Sequence, residues 1–121
     1  MTDYREISQA YARGGIIALT TANGGAAITL LSQTADLLAA DLGSSVVAPL
    51  LAWGAGVASA LIMWMMAFLS TRFVDKSERD VGLQDAHIRT SNNYMRFALS
   101  LAVFSVFMFI LGCVTLACAF A

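Results

Sequence analysis

The chain has 121 residues, of which 59% are hydrophobic and only 12% are charged, and its formal net charge is −1. Soluble domains carry about 25% charged residues, and the core of so short a chain has no room for this much apolar surface. The nearly neutral charge argues against nucleic acid or an anionic surface as the main partner. We therefore expect one membrane domain.

Three long apolar stretches predict an all-α fold with three transmembrane helices, because about 20 apolar residues span a bilayer when helical. In chain order, the predicted elements are an interfacial segment at 1–13, a first span at 14–36, an outer loop at 37–45, a second span at 46–70, a cytoplasmic loop or helical hairpin at 71–95 and a third span at 96–119. Within 71–95, Lys76 and Asp80 are opposite charges four residues apart, which favours a helical arm. Gly82 is the expected bend between two such arms.

Positive charge is distributed unevenly around the three spans. Five of the seven Lys and Arg residues lie at positions 72–96, between the second and third apolar stretches, and the other two precede the first stretch. Lys and Arg are retained on the cytoplasmic side of a membrane. The sequence therefore predicts a cytoplasmic amino terminus, a periplasmic carboxyl terminus and a location in the bacterial inner (cytoplasmic) membrane.

Small and weakly polar residues of the first span share one face, which is about 100° wide when the span is plotted at 100° per residue. This small-residue face consists of Gly14, Ala18, Thr21, Ala22, Gly25, Thr29, Ser32 and Asp36. Lipid provides no hydrophobic drive for helices to associate, so close approach over small residues must do it. The face packs within the three-helix monomer, which we favour, or packs against another chain, or lines water through its hydroxyls.

Asn23 lies on the opposite side of the first span, near the middle of the membrane. An amide without a partner is costly in hydrocarbon, so we expect it to form a hydrogen bond. The partner is either the second or third span of the same chain or a neighbouring subunit.

The other two spans also carry regular rows of small residues. Ala52, Gly56 and Ala60 recur every four residues in the second span. In the third span the small residues recur every seven, as in a membrane coiled coil: they are Ala98, Ser105, Gly112 and Ala119. A three-helix monomer does not need all of these faces, and the surplus predicts partners.

The predicted helix-packing site therefore draws on all three spans. Its members are Gly14, Ala18, Ala22, Asn23, Gly25, Thr29, Ala52, Gly56, Ala60, Ser105 and Gly112. We expect no catalytic residue, no cofactor and no metal, because the single histidine falls in the polar loop and the two cysteines do not share a ligand face. The expected partners are the lipid bilayer and other membrane helices, either of the same protein or of a larger complex.

The run from Thr21 to Ile28, together with the spacing of Ser105, Phe109 and Gly112, resembles small three-span proteins of the bacterial inner membrane. That resemblance implies the topology above but no particular activity. By size and span number the chain is also similar to phage holins, although its predicted orientation is reversed and it has no cationic carboxyl-terminal tail. We expect a non-enzymatic accessory or scaffolding subunit. The alternative is a small pore-forming oligomer whose first span lines water with Thr and Ser.

Overall fold

A computed structural model describes residues 4–120, with side chains from Glu6 onward. The first three residues of the predicted interfacial segment and the final Ala121 lie outside this part. The described elements are helix α1 (Tyr4–Ser32), a short helix α2 (Thr34–Ala39), a 3₁₀ turn (Gly43–Val46), helix α3 (Val47–Arg79), a second 3₁₀ turn (Val81–Leu83) and helix α4 (Gln84–Ala119). The protein is all-helical, and three of the described helices are long and apolar enough to cross a membrane. It is a multi-pass membrane protein.

Helix α1 differs from the predicted first span at both ends. It begins within the predicted interfacial segment and runs without a break into the apolar stretch. It ends at Ser32, so that Asp36 belongs to α2. The physical reason for the early end is competition for carbonyl groups: Ser32 Oγ donates to Thr29 O at 2.7 Å and the Gln33 amide donates to Leu30 O at 3.1 Å, which tightens the last turn.

The connection from α1 to α3 folds back on itself. Asp41 has a φ of 60°, a left-handed conformation that Asp tolerates better than most residues. The Leu42 amide then donates to Leu37 O at 2.8 Å and closes the turn. Pro49 lies buried in the first turn of α3, where a missing amide costs no helical hydrogen bond.

Helices α3 and α4 are longer than a bilayer is thick. Their 33 and 36 residues correspond to about 50 Å each, whereas the hydrocarbon core measures about 30 Å. The segment predicted as a loop or hairpin at 71–95 consists of the last turns of α3, the turn containing Gly82 and the first turns of α4. The two long helices therefore form one antiparallel hairpin that extends beyond the membrane.

Contacts with aromatic rings stabilise the charged end of this hairpin, in place of the expected ion pair between Lys76 and Asp80. Lys76 Nζ lies 4.9 Å from the centre of the Phe73 ring, and Phe73 stacks on Tyr94 at 5.5 Å between centroids. Asp80 faces His87, with 3.9 Å between Oδ2 and Nε2. The predicted pairing of Lys76 with Asp80 is therefore replaced by a cation–π contact.

Candidate helix-packing site

The α3–α4 seam is built on a seven-residue period. Its buried residues on α4 are Ser91, Ala98, Ser105 and Gly112. Its buried residues on α3 at the same period are Pro49, Gly56, Met63, Ser70 and Ser77. A period of seven keeps one stripe of each helix facing the other when the pair supercoils with a left-handed twist. Most of these side chains are small, which lets the two backbones approach closely.

Hydrogen bonds at two places fix the register of the seam. Ser70 and Ser91 each donate to the other's carbonyl oxygen, at 3.1 and 3.0 Å, and their hydroxyls lie 2.8 Å apart. Ser105 Oγ donates to Gly56 O at 2.9 Å. Ser70 follows Gly56 by the same number of residues as Ser105 follows Ser91, as an antiparallel register requires. A slip by one residue would leave these buried hydroxyls without partners, which is costly in hydrocarbon.

Trp53 anchors the half of the seam that contains the start of α3. Its side chain is 3% exposed, and its indole Nε1 donates to Phe109 O at 3.2 Å. The ring packs against Gly112, where a Cβ atom would come within 2.7 Å of two ring carbons. Gly112 is therefore the residue that makes room for the indole, and only a hydrogen at that position avoids displacing it.

Asn23 joins α1 to both long helices. It is fully buried, and its Nδ2 lies 3.2 Å from Ser105 Oγ and 3.0 Å from Leu19 O. Ser105 accepts this bond while donating to Gly56 O, so three helices meet in one short chain of hydrogen bonds. Of the partners left open by the sequence, the structure selects the third span of the same chain.

Gly56 forms the floor of the same junction. A Cβ atom built there would lie 2.5 Å from Asn23 Cγ and closer still to Oδ1. Among the described side chains, Asn23 Oδ1 is the buried polar atom with no conventional hydrogen-bond donor. The glycine α-hydrogen points towards it, so a weak Cα–H···O contact occupies that position.

The small-residue face of α1 points away from the rest of the molecule. Its members in α1, from Gly14 to Ser32, are all exposed, and Cβ atoms added at Gly14 or Gly25 would meet nothing within 4 Å. Thr29 Oγ1 donates to Gly25 O at 2.8 Å, so this hydroxyl is satisfied within its own helix. The face therefore does not pack within the monomer, contrary to the interpretation that we favoured.

No family model, curated protein or solved structure matches this chain.

The predicted packing residues fall into a buried group and an exposed group. Those that the structure buries against neighbouring helices are Asn23, Ala52, Gly56, Ala60, Ser105 and Gly112. Those that it leaves exposed are Gly14, Ala18, Ala22, Gly25 and Thr29. The first group belongs to the internal packing of the hairpin and of the side of α1 that carries Asn23, and the second group is available to another molecule.

Sequence reasoning missed the polar end of the seam. Ser70 and Ser91 fall at the edge of, or inside, the segment predicted as a cytoplasmic loop, so they were not included among packing residues. A signal was present, because Ser91 precedes Ala98 by seven residues and Ser70 follows Gly56 by two such periods. Extending the seven-residue period beyond the apolar stretch would have found both.

Proposed function

We propose that this protein is a non-enzymatic accessory or scaffolding subunit that binds other transmembrane helices on the small-residue face of α1. The single observation that carries the proposal is the exposure of that face. Only 11% of the residues in the most apolar part of α1 are buried, against 17% in α4 and 44% in α3. When one side of a helix carries small residues and has no neighbour, packing another helix there costs little conformational entropy, because few side chains must be ordered or moved.

The hydroxyl groups on the face also support packing. Thr29 and Ser32 donate to carbonyl groups of their own helix, at 2.8 and 2.7 Å. Hydroxyls satisfied in this way do not need water, so they fit against another helix or against lipid. The bound helix belongs to a second copy of this chain or to a larger membrane complex in the bacterial inner membrane, with the amino terminus of this chain in the cytoplasm.

A pore is the second candidate function. The observation in its favour is the row of exposed hydroxyls at Thr21, Thr29 and Ser32, which together form a polar stripe along one helix. In a ring of subunits such a stripe would face a shared water-filled path. Purified protein in liposomes would then pass ions or small dyes, and Thr29→Leu would stop the flux. Flux through the wild type that is abolished by Thr29→Leu would show that the protein forms a pore and would contradict the packing proposal.

The packing proposal is tested by measuring association in membranes. Copies labelled with donor and acceptor dyes are reconstituted in liposomes, and energy transfer is followed as the protein is diluted with lipid. Gly25→Leu places a bulky side chain on the face, at a position where an added Cβ atom meets nothing within 4 Å. We expect it to weaken association roughly ten-fold, the equivalent of about 1.4 kcal/mol.

Gly54→Leu is the matched control, because Gly54 is also exposed and also has no atoms within 4 Å of an added Cβ, but lies on α3. It should associate like the wild type. If wild-type copies remain monomeric, a tagged protein should capture another chain from native membranes, and Gly25→Leu should lose it. Absence of both forms of association, or equal behaviour of the two variants, would show that the face does not bind helices.

A further inference from the structure

A groove of about 700 Å³ opens between the first half of α1 and the inner half of the α3–α4 hairpin. It exists because α1 contacts the hairpin mainly deeper in the membrane: every described α1 residue from Glu6 to Gly15 is exposed. The volume is in the range of sites that hold a small molecule or part of a lipid. The groove spans the boundary between the apolar stretches and the charged end of the bundle.

Large apolar side chains form part of the wall of the groove. Ile16 and Ile17 line it from α1, and Trp64 and Phe68 line it from α3. The two aromatic side chains are 58% and 54% exposed, so their rings present free faces and edges to an occupant.

Two of the serines that line the groove are already satisfied. The hydroxyls and carbonyls of Ser70 and Ser91 are paired with one another across the α3–α4 seam. These two residues therefore offer no free polar group, so this part of the groove suits a hydrocarbon chain better than a polar solute.

The rim of the groove carries one charge of each sign. Arg13 lines it from α1 and Asp75 lines it from α3. Within residues 6–120, neither side chain has a hydrogen bond or ion pair. Arg13 immediately precedes the apolar part of α1, and Asp75 follows the apolar part of α3, so both lie at the depth of lipid headgroups.

We propose that this groove binds a zwitterionic phospholipid with a primary-amine headgroup. The guanidinium of Arg13 holds the phosphate, the carboxylate of Asp75 accepts hydrogen bonds from the ammonium group, and an acyl chain lies against Trp64 and Phe68. Arginine matches the geometry of phosphate oxygens, and hydrogen bonds between charged groups are about twice as strong as neutral ones. The carboxylate repels a purely anionic headgroup, and a quaternary amine has no N–H to donate to it.

This site is independent of helix binding by α1. At 100° per residue, Ala12 and Ile16 lie on the opposite side of α1 from Gly14 and Gly25. Loss of association through the small-residue face therefore leaves the groove intact, and loss of the groove leaves that face intact.

The test measures which lipid stays with the protein. Wild-type protein is reconstituted in nanodiscs containing equal amounts of phosphatidylethanolamine, phosphatidylcholine and phosphatidylglycerol, extracted in mild detergent and analysed by native mass spectrometry. We expect phosphatidylethanolamine to be the retained lipid. Arg13→Gln and Asp75→Asn should each lower its retention roughly ten-fold, as expected for one lost hydrogen bond to a charged group.

The matched controls are Arg72→Gln and Asp85→Asn, which remove the same charges from exposed positions at the same end of the bundle. Both should retain the lipid like the wild type, with unchanged helical circular dichroism in all four variants. Equal retention of phosphatidylcholine, or preference for phosphatidylglycerol, would overturn the proposal. So would equal loss in the rim variants and the controls.

Discussion

The α3–α4 hairpin and helix α1 both carry rows of small residues, but they are packed into the molecule in different ways. The hairpin buries a seam of mostly small residues, with serine hydrogen bonds at two places along it and an indole ring packed against a glycine. Helix α1 is attached through one polar junction at Asn23 and a few apolar contacts nearer its outer end, such as Leu30. Its own row of small residues remains outside.

The difference shows that a small-residue row does not by itself identify the neighbour of a helix. In α3 and α4 the rows face each other because a turn of a few residues forces the two helices to be antiparallel neighbours. In α1, the buried amide costs more to leave unpaired than the small residues cost to leave in lipid, so the Asn23 side faces inward. The side-chain amide of Asn23 therefore determines how α1 is rotated about its own axis.

The strongest test of the hairpin seam is Gly112→Ala. The added Cβ atom would lie 2.7 Å from two carbons of the Trp53 ring, which is nearly fully buried and cannot move without losing its bond to Phe109 O. We expect a loss of about 3 kcal/mol in the free energy of unfolding, the upper end for an overpacked core. Thermal unfolding in detergent micelles would measure it.

Gly54→Ala is the control for that experiment, since its Cβ meets nothing within 4 Å. It should unfold like the wild type, apart from the small gain in helix propensity that alanine brings. A Gly112→Ala protein as stable as Gly54→Ala would show that Trp53 does not depend on the glycine.

The attachment of α1 is tested at Gly56. Gly56→Ala drives a methyl group into the amide of Asn23, so we expect a loss of about 2 kcal/mol in unfolding free energy. Asn23→Ala alone removes the bond to Ser105 and costs about 1 kcal/mol.

The two changes should not be additive, because the alanine at position 56 fits the space that the amide leaves. The double variant should be clearly more stable than the sum of the single losses predicts. Simple additivity in the same unfolding assay would contradict direct contact between the two sites.

The smallest expected effect lies at the polar end of the seam. Ser70→Ala and Ser91→Ala each remove one of two reciprocal hydrogen bonds, and each should cost about 1 kcal/mol, as for other bonds between membrane helices. A double-mutant cycle should show a coupling of similar size. Ser100→Ala is the control, because its exposed hydroxyl bonds only to Arg96 O in its own helix. Independent effects of the two serines would argue that the pair is not formed.

Much of the fold could be predicted from the apolar stretches and from the positions of glycine and asparagine. The three spans, the helical continuation at 71–95 and the turn at Gly82 could be predicted because apolar length and glycine act locally. The need for a partner at Asn23 followed from the cost of burying an amide. The identity of that partner did not follow, because Leu19, Gly56 and Ser105 come together only when three helices are packed.

The sequence by itself determined that the chain is helical, that three of its stretches are long and apolar enough to cross a membrane and that rows of small residues run along all three. Each of these depends on composition and period along one helix. Only the tertiary structure decided which face of α1 is buried. Either the face with Asn23 or the face with Gly25 can be turned towards α3 and α4, and the difference in free energy between the two depends on the residues that those helices present. It also decided that the seam extends to Ser70 and Ser91, since a seven-residue period becomes an interface only when a second helix runs beside it.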